Sequence, residues 1–382
     1  MPDNMFDPAH YAKARLPVLE AETLPPWCYT SQQFYDREVE RVFKNSWNFI
    51  GRADELPKPG DYAAYDLVGE PVLIVRDRAG VLHAFANSCR HRGTRLLDGQ
   101  GNCRGIVCPY HGWAYGLNGE LLGSAGMEET RGFDKKAYGL HPIRLETWDG
   151  FVFVNFSADA VGLGEYLGDL PQTLASYRLA DMVCVRRREY DLACNWKIYL
   201  ENAMEDYHTP YVHRQSIGAQ HTVPEPSHGA WGGIHMAAEK TIAVLAEDLG
   251  HALPPIPGLT GKAATGTYFL VLYPSTFFAL TQDCMWWLQQ FPQGPARTKV
   301  VIGSCFPRAT AARADFAEKA PYYYRRWDKS LPEDNAISER QQAGLRSSFA
   351  SPGRLSVREP MVRDIANWIL DRVLATEDRC AT

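Results

Sequence analysis

The sequence predicts an α+β protein of two domains: a small all-β domain, then a larger one in which an antiparallel sheet is covered by helices. Three observations carry this. The chain has 382 residues with 45% hydrophobic and 22% charged content, enough to bury more than one core. Its first half is a string of short apolar runs broken by turn residues. Its second half joins a β meander to long segments of helical periodicity.

Taken in order, residues 1–46 form an N-terminal arm ending in a helix. The stretch "SQQFYDREVERVFKNS", 31–46, starts at a Ser cap and carries Phe34, Val39, Val42 and Phe43 at helical spacing. Residues 47–157 form the β domain, with the runs "PVLIVRD", "VLHAFAN" and "GFVFVNF" set between Gly, Pro, Asp and Asn. Polar sequence at 158–170, "ADAVGLGEYLGDL", marks the boundary. Residues 158–382 form the second domain: a helix over Trp196–Val212, the meander "GTYFLVLYP", "TFFALT", "CMWWLQQF", "TKVVIGSCF", and helices over 310–328, 334–347 and 359–374.

Composition removes several functions. A formal net charge of -5 gives no basic surface for nucleic acid. The N-terminal residues lack the apolar core of a signal peptide, and the most apolar stretch, "YFLVLYPSTFFAL", is short and broken by Pro274, so a cytoplasmic protein without membrane attachment is expected. Nine cysteines in such a chain point to metal ligands and buried thiols rather than disulfides. Cys28, Cys284, Cys305 and Cys380 stand alone. No GxGxxG or phosphate-loop spacing is present, so nicotinamide or flavin binding by the usual fold is not expected.

The chemistry concentrates in "SCRHRGTRLLDGQGNCRGIVCPYHGWAYG", 88–116. Cys89 and His91, then Cys108 and His111, supply one sulfur and one nitrogen per loop. Zinc accepts such a set, although one residue between paired ligands is tight for it. A two-iron, two-sulfide cluster with two Cys on one iron and two His on the other fits the division better. Gly93 and Gly112 follow the ligands where two loops must approach.

"CRHRG" and "CPYHGWAY" resemble the Rieske signature of the ring-hydroxylating and N-demethylating oxygenases. Respiratory Rieske proteins carry two further cysteines where this chain has Thr94 and Tyr110, so the resemblance is to the oxygenase and ferredoxin kind, and Cys103 reads as a plain thiol.

A second constellation follows in "CNWKIYLENAMEDYHTPYVHRQS". His208 and His213 near carboxylates match the two-histidine, one-carboxylate set that leaves open positions on iron(II). "NWK", an acidic residue three before the first His and a second His five beyond are similar to the mononuclear iron motif of Rieske oxygenase α subunits. The resemblance implies a third ligand on a C-terminal helix. "LPEDNAISERQQAGLRS" offers Asp334, with Glu333 as the alternative, at an expected helix start where carboxylates also favour the helix dipole. It also implies that Glu205, three residues before His208, links that ligand to the cluster His of a neighbouring subunit. A Glu at this place resembles the members acting on betaine- and carnitine-like compounds.

Over the whole chain the resemblance implies a helix-grip, START-like catalytic domain, O2 as co-substrate, and electrons that pass from NAD(P)H through a separate flavin and iron–sulfur reductase, or a ferredoxin, to the [2Fe-2S] cluster and then to Fe(II). It further implies a homotrimer. The favoured substrate is a quaternary-ammonium or N-methylated compound. A few aromatic faces from Tyr268, Phe269, Tyr273, Phe277, Phe278, Trp286, Trp287 and Phe291 would cage it, with Trp286 and Trp287 the positions to test. A hydroxylase or dioxygenase of a small aromatic acid is the alternative, and a pure electron carrier is the second.

Overall fold

Alternation and turn chemistry set the architecture first. The computed structural model describes residues 2 and 4–375, with 226–228 described for backbone alone; Cys380 lies outside the described residues. The chain forms two compact units: Trp47–Leu163, and a second that joins the chain up to Ser46 to the chain from Gly164 onward.

In the first unit β1 (Asn48–Arg52), β2 (Asp61–Leu67), β3 (Glu70–Arg76), β4 (Leu82–Ala86), β5 (Gln100–Asn102), β6 (Ile106–Val107), β7 (Ala114–Tyr115), β8 (Leu121–Gly123), β9 (Pro142–Trp148) and β10 (Phe151–Asn155) follow in chain order. Seven of them make a sheet ordered β1-β10-β9-β4-β3-β2-β5, and β6-β7-β8 make a smaller one. The first Cys/His loop lies between β4 and β5, and the second is the turn of the β6–β7 hairpin. Both loops rest on one buried cluster that includes Leu96, Ile106, Trp113, Tyr115 and Leu140. Each such side chain removed from water contributes roughly 1.5–3 kcal/mol, which fixes the loops from below.

In the second unit, short helical turns over Pro8–Tyr11, Lys13–Arg15 and Trp27–Thr30 lead into α1 (Gln32–Glu38), capped by the Ser31 hydroxyl accepting from the Phe34 N–H and continued as a wider coil over Val39–Phe43. Its sheet is a seven-stranded antiparallel one, β11 (Met182–Leu192), β12 (Val223–His228), β13 (Trp231–Ala237), β14 (Gly266–Leu272), β15 (Thr276–Leu280), β16 (Met285–Pro292) and β17 (Thr298–Pro307), ordered β11-β17-β16-β15-β14-β13-β12. The N-terminal arm belongs to this unit. Lys197 donates to Glu38 at 2.6 Å with both side chains fully buried, which ties α1 to the helix that starts at Trp196.

Helix boundaries depart from the sequence reading in two places. The helix expected over Trp196–Val212 divides into α2 (Trp196–Ala203) and α3 (Thr209–Val212), with residues 204–208 irregular. The helices expected over 310–328 and 334–347 are largely one, α4 (Phe316–Leu345), preceded by a single turn over Arg308–Ala311. Pro332 removes one backbone hydrogen bond from α4. Anchors on both sides of it hold the helix continuous: Arg186 pairs with Asp328 at 2.8 Å, and Gln342 accepts from the Asn195 N–H at 2.8 Å. Glu333 and Asp334 therefore sit in mid-helix, and the dipole of a helix start does not account for them. The last helix, α5, spans Pro360–Val373. Among the described residues no helix is long and apolar enough to cross a membrane.

Candidate metal centres

The first centre is built by two tight loops. Gly93 and Gly112 take φ of 73° and 71°, and their N–H groups donate back to the carbonyls of Cys89 and Cys108 at 2.9 and 3.1 Å. Each turn brings its Cys inward, and both thiols are buried. The His91 and His111 rings lie with centroids 4.7 Å apart, and His91 stacks on Trp113 at 4.9 Å. Burial pushes the Cys108 thiol up, but backbone N–H groups of Tyr110 and His111 and contacts with Cys89 and Thr94 outweigh it and hold the thiol low. Such a site favours thiolate.

Two features fit this set to an iron–sulfur cluster. His91 Nδ1 is buried without a hydrogen-bond partner, as a ligand nitrogen would be. The two sulfurs lie together and the two imidazoles together, the division that two differently ligated irons require. The sequence reading did not single out Tyr115, whose hydroxyl lies 3.3 Å from Cys89 Sγ and accepts from the Arg90 N–H at 3.1 Å. A hydroxyl on a ligand sulfur stabilises negative charge there. Its signal was the last aromatic of "CPYHGWAY".

The second centre lies in the other unit. His208 precedes α3, His213 follows it, and Asp334 comes from α4; one ligand atom of each lies within 4.8 Å of the others. His208 Nε2 and His213 Nε2 are 3.3 Å apart, and Asp334 Oδ1 stands 3.6 and 3.1 Å from them. That oxygen is buried without hydrogen-bond geometry to any partner. Three ligand atoms facing one point, one of them a buried carboxylate oxygen without a partner, fit a single metal ion, and this donor set suits non-haem iron(II).

Carboxylates behind the rings set their orientation. Glu205 Oε1 is 2.6 Å from His208 Nδ1, and Glu333 Oε2 is 2.7 Å from His213 Nδ1 and accepts from Ser216 Oγ at 2.5 Å. Each imidazole is thus held at Nδ1 and presents Nε2 inward. Burial lowers the basicity of His213, yet the Asp334 and Glu333 carboxylates outweigh it and raise its pKa. Glu205 reaches His208 through a turn rather than a helical face: its Oε2 accepts from the backbone N–H of Tyr207 and, at 3.0 Å, of His208. Asp206 is otherwise engaged. It takes Arg358 Nε at 2.6 Å and the Thr222 N–H at 2.7 Å, closing the loop over 206–222.

A cavity opens beside this centre, lined by His208, His213 and Asp334 at one part and by side chains of the sheet and α4 elsewhere. Register places Ile234, Phe269, Phe277, Leu288 and Trp286 on one sheet face. The first four line the cavity, and Trp327 and Tyr199 add aromatic surface. Of the aromatic residues expected to cage a substrate, Phe269 and Phe277 reach it. Trp286 and Trp287 do not. Trp327 lies against Trp286 with ring centroids 5.1 Å apart, and Trp287 points to the opposite face against Gly303.

Comparison with known proteins agrees with both centres. Residues 46–134 match the Rieske [2Fe-2S] domain, and residues 179–375 match the ring hydroxylating alpha subunit catalytic domain. The chain is 36% identical over 350 residues to a carnitine monooxygenase oxygenase subunit of Escherichia coli, covering 88% of each chain. It is 27% identical to a chloroplastic choline monooxygenase of Beta vulgaris, over 92% of this chain and 77% of that one. Among solved structures it superposes with a TM-score of 0.79 and 25% identity on a quaternary ammonium Rieske monooxygenase described for carnitine oxidation and inter-subunit electron transfer, covering 93% of this chain and 97% of that one.

Proposed function

Because this chain belongs to the Rieske oxygenase α-subunit family, we propose that it is a terminal oxygenase that oxidatively demethylates or cleaves a quaternary-ammonium or N-methylated compound. The observation that carries the reading is the convergence of His208, His213 and Asp334 on one point beside an aromatic cavity. Iron(II) held by these three residues would supply dioxygen activation, and a [2Fe-2S] cluster held by the Cys/His loops would supply an electron. The chain's own residues do the rest. Glu205 and Glu333 hold the imidazoles, while Phe269, Phe277 and Trp327 exclude water and offer π faces to a methylammonium group.

Cys89, His91, Cys108 and His111 hold the cluster in this proposal. Electrons reach it from NAD(P)H through a separate flavin and iron–sulfur reductase. A cytoplasmic homotrimer closed head to tail sets the cluster of one subunit beside the iron of the next. Glu205, already on His208, is the residue that meets the incoming cluster His. The relatives named for carnitine and choline support the substrate class. The test is oxygen uptake by purified enzyme and reductase across a panel of N-methylated and aromatic compounds. Stimulation by trimethylammonium compounds with release of an oxidised fragment is expected; stimulation by a small aromatic acid alone would replace the reading.

A further inference from the structure

We propose that Arg326 is a specificity-determining residue that receives a substrate carboxylate, so that the compound oxidised here is a zwitterion with a methylated ammonium at one end and a carboxylate at the other. The inference rests on the quaternary-ammonium reading above and narrows it. Arg326 is 6% exposed and lines the cavity that holds the metal ligands. It stands on α4 eight residues before Asp334, with Ser330 between them on the same face, and all three line the cavity.

Its guanidinium has no partner. Among the described residues it makes no hydrogen bond and no ion pair, and its guanidinium carbon stands 5.9 Å from the centre of the Trp327 ring. Neighbouring arginines are all paired: Arg325 with Asp248 at 2.9 Å, Arg186 with Asp328 at 2.8 Å, Arg358 with Asp206 at 2.6 Å. Burial draws the Arg326 pKa down to about 10, against the opposing pull of Asp334 and Cys284, and the group stays cationic at neutral pH. A buried cation with five donors and no acceptor is costly to keep. A carboxylate satisfies it with two parallel hydrogen bonds.

The same charge argues against a simple cation. A choline-like ligand would bring a second positive charge into a low-dielectric cavity and leave Arg326 unsatisfied, whereas a zwitterion places opposite charges at opposite ends. Eight helical residues set the Arg326 and Asp334 backbones about 12 Å apart. With both side chains lining the space between, the fit is to a compound with a few carbons between its charges. Arg326, Ile217 and Gln220 also line a second cavity that includes Lys240, so Arg326 stands where the two cavities share their lining.

The test is calorimetric binding and steady-state oxidation of L-carnitine and choline by the iron- and cluster-loaded enzyme, its Arg326→Gln variant and its Arg326→Lys variant. Matching Rieske spectra and iron content establish that the variants fold. The parent is expected to bind carnitine at least ~30-fold more tightly than choline, Arg326→Gln to lose most of that preference, and Arg326→Lys to keep part of it. A parent that binds and oxidises choline as well as carnitine overturns the inference without any variant. So does an Arg326→Gln variant with parental carnitine affinity, while the quaternary-ammonium reading stands in both cases. If neither compound, nor any other trimethylammonium compound, binds or stimulates oxygen uptake, the substrate reading falls and the Arg326 inference falls with it.

Discussion

Two adjacent carboxylates on α4 take different duties, and the backbone decides which. Asp334 faces the Nε2 side of both histidines, and Glu333 faces Nδ1 of His213 from behind. Asp334→Asn is expected to remove most of the mononuclear iron and leave the Rieske spectrum intact, as iron analysis with visible absorbance will show. Glu333→Gln keeps the ligands and loosens the His213 ring, so iron affinity should fall about 10–100-fold rather than vanish. The sequence favoured Asp334 over Glu333 only through the resemblance, because helical phase between neighbours depends on where the helix starts. For Glu205→Gln we expect the parental cluster spectrum and much of the iron, with slow cluster reoxidation on rapid mixing with substrate and oxygen. Parental reoxidation would confine Glu205 to holding His208.

The β meander and the metal-loop signatures were legible because their signals are local: alternation, turn residues and ligand spacing. The α4 boundary and the break in the site helix were not. Pro332 reads locally as a stop, and only distant partners such as Asn195, Tyr29 and Arg186 carry the helix through it. Strand facing raised a similar difficulty, since two adjacent tryptophans give no phase of their own. Register places Trp287 against Gly303, where an added Cβ would meet the indole at 2.0 Å. Gly303→Ala should therefore cost about 1–3 kcal/mol in chemical denaturation. Trp287→Ala should destabilise the protein without weakening ligand binding to the folded enzyme, a correction to its expected place in the cage. Lys197→Met leaves Glu38 buried and unpaired and should cost about 3–5 kcal/mol.

At the scale of the whole molecule, one chain carries two donor sets that suit two kinds of iron centre, each on its own compact unit. The order of the two motifs, cluster first and iron second, was readable because the Cys/His spacing is local and the resemblance to the oxygenase α subunits carried the iron set, whose third ligand lies far along the chain. The cavity's charge was not, since Arg326 becomes conspicuous only once its neighbours are seen to be paired elsewhere. The central claim is that both centres bind metal in the same polypeptide. Iron and acid-labile sulfide analysis of the purified chain tests it most directly: about three irons and two sulfides per chain are predicted. About two irons with two sulfides, unchanged by Asp334→Asn, would contradict it and leave an electron carrier in place of an oxygenase.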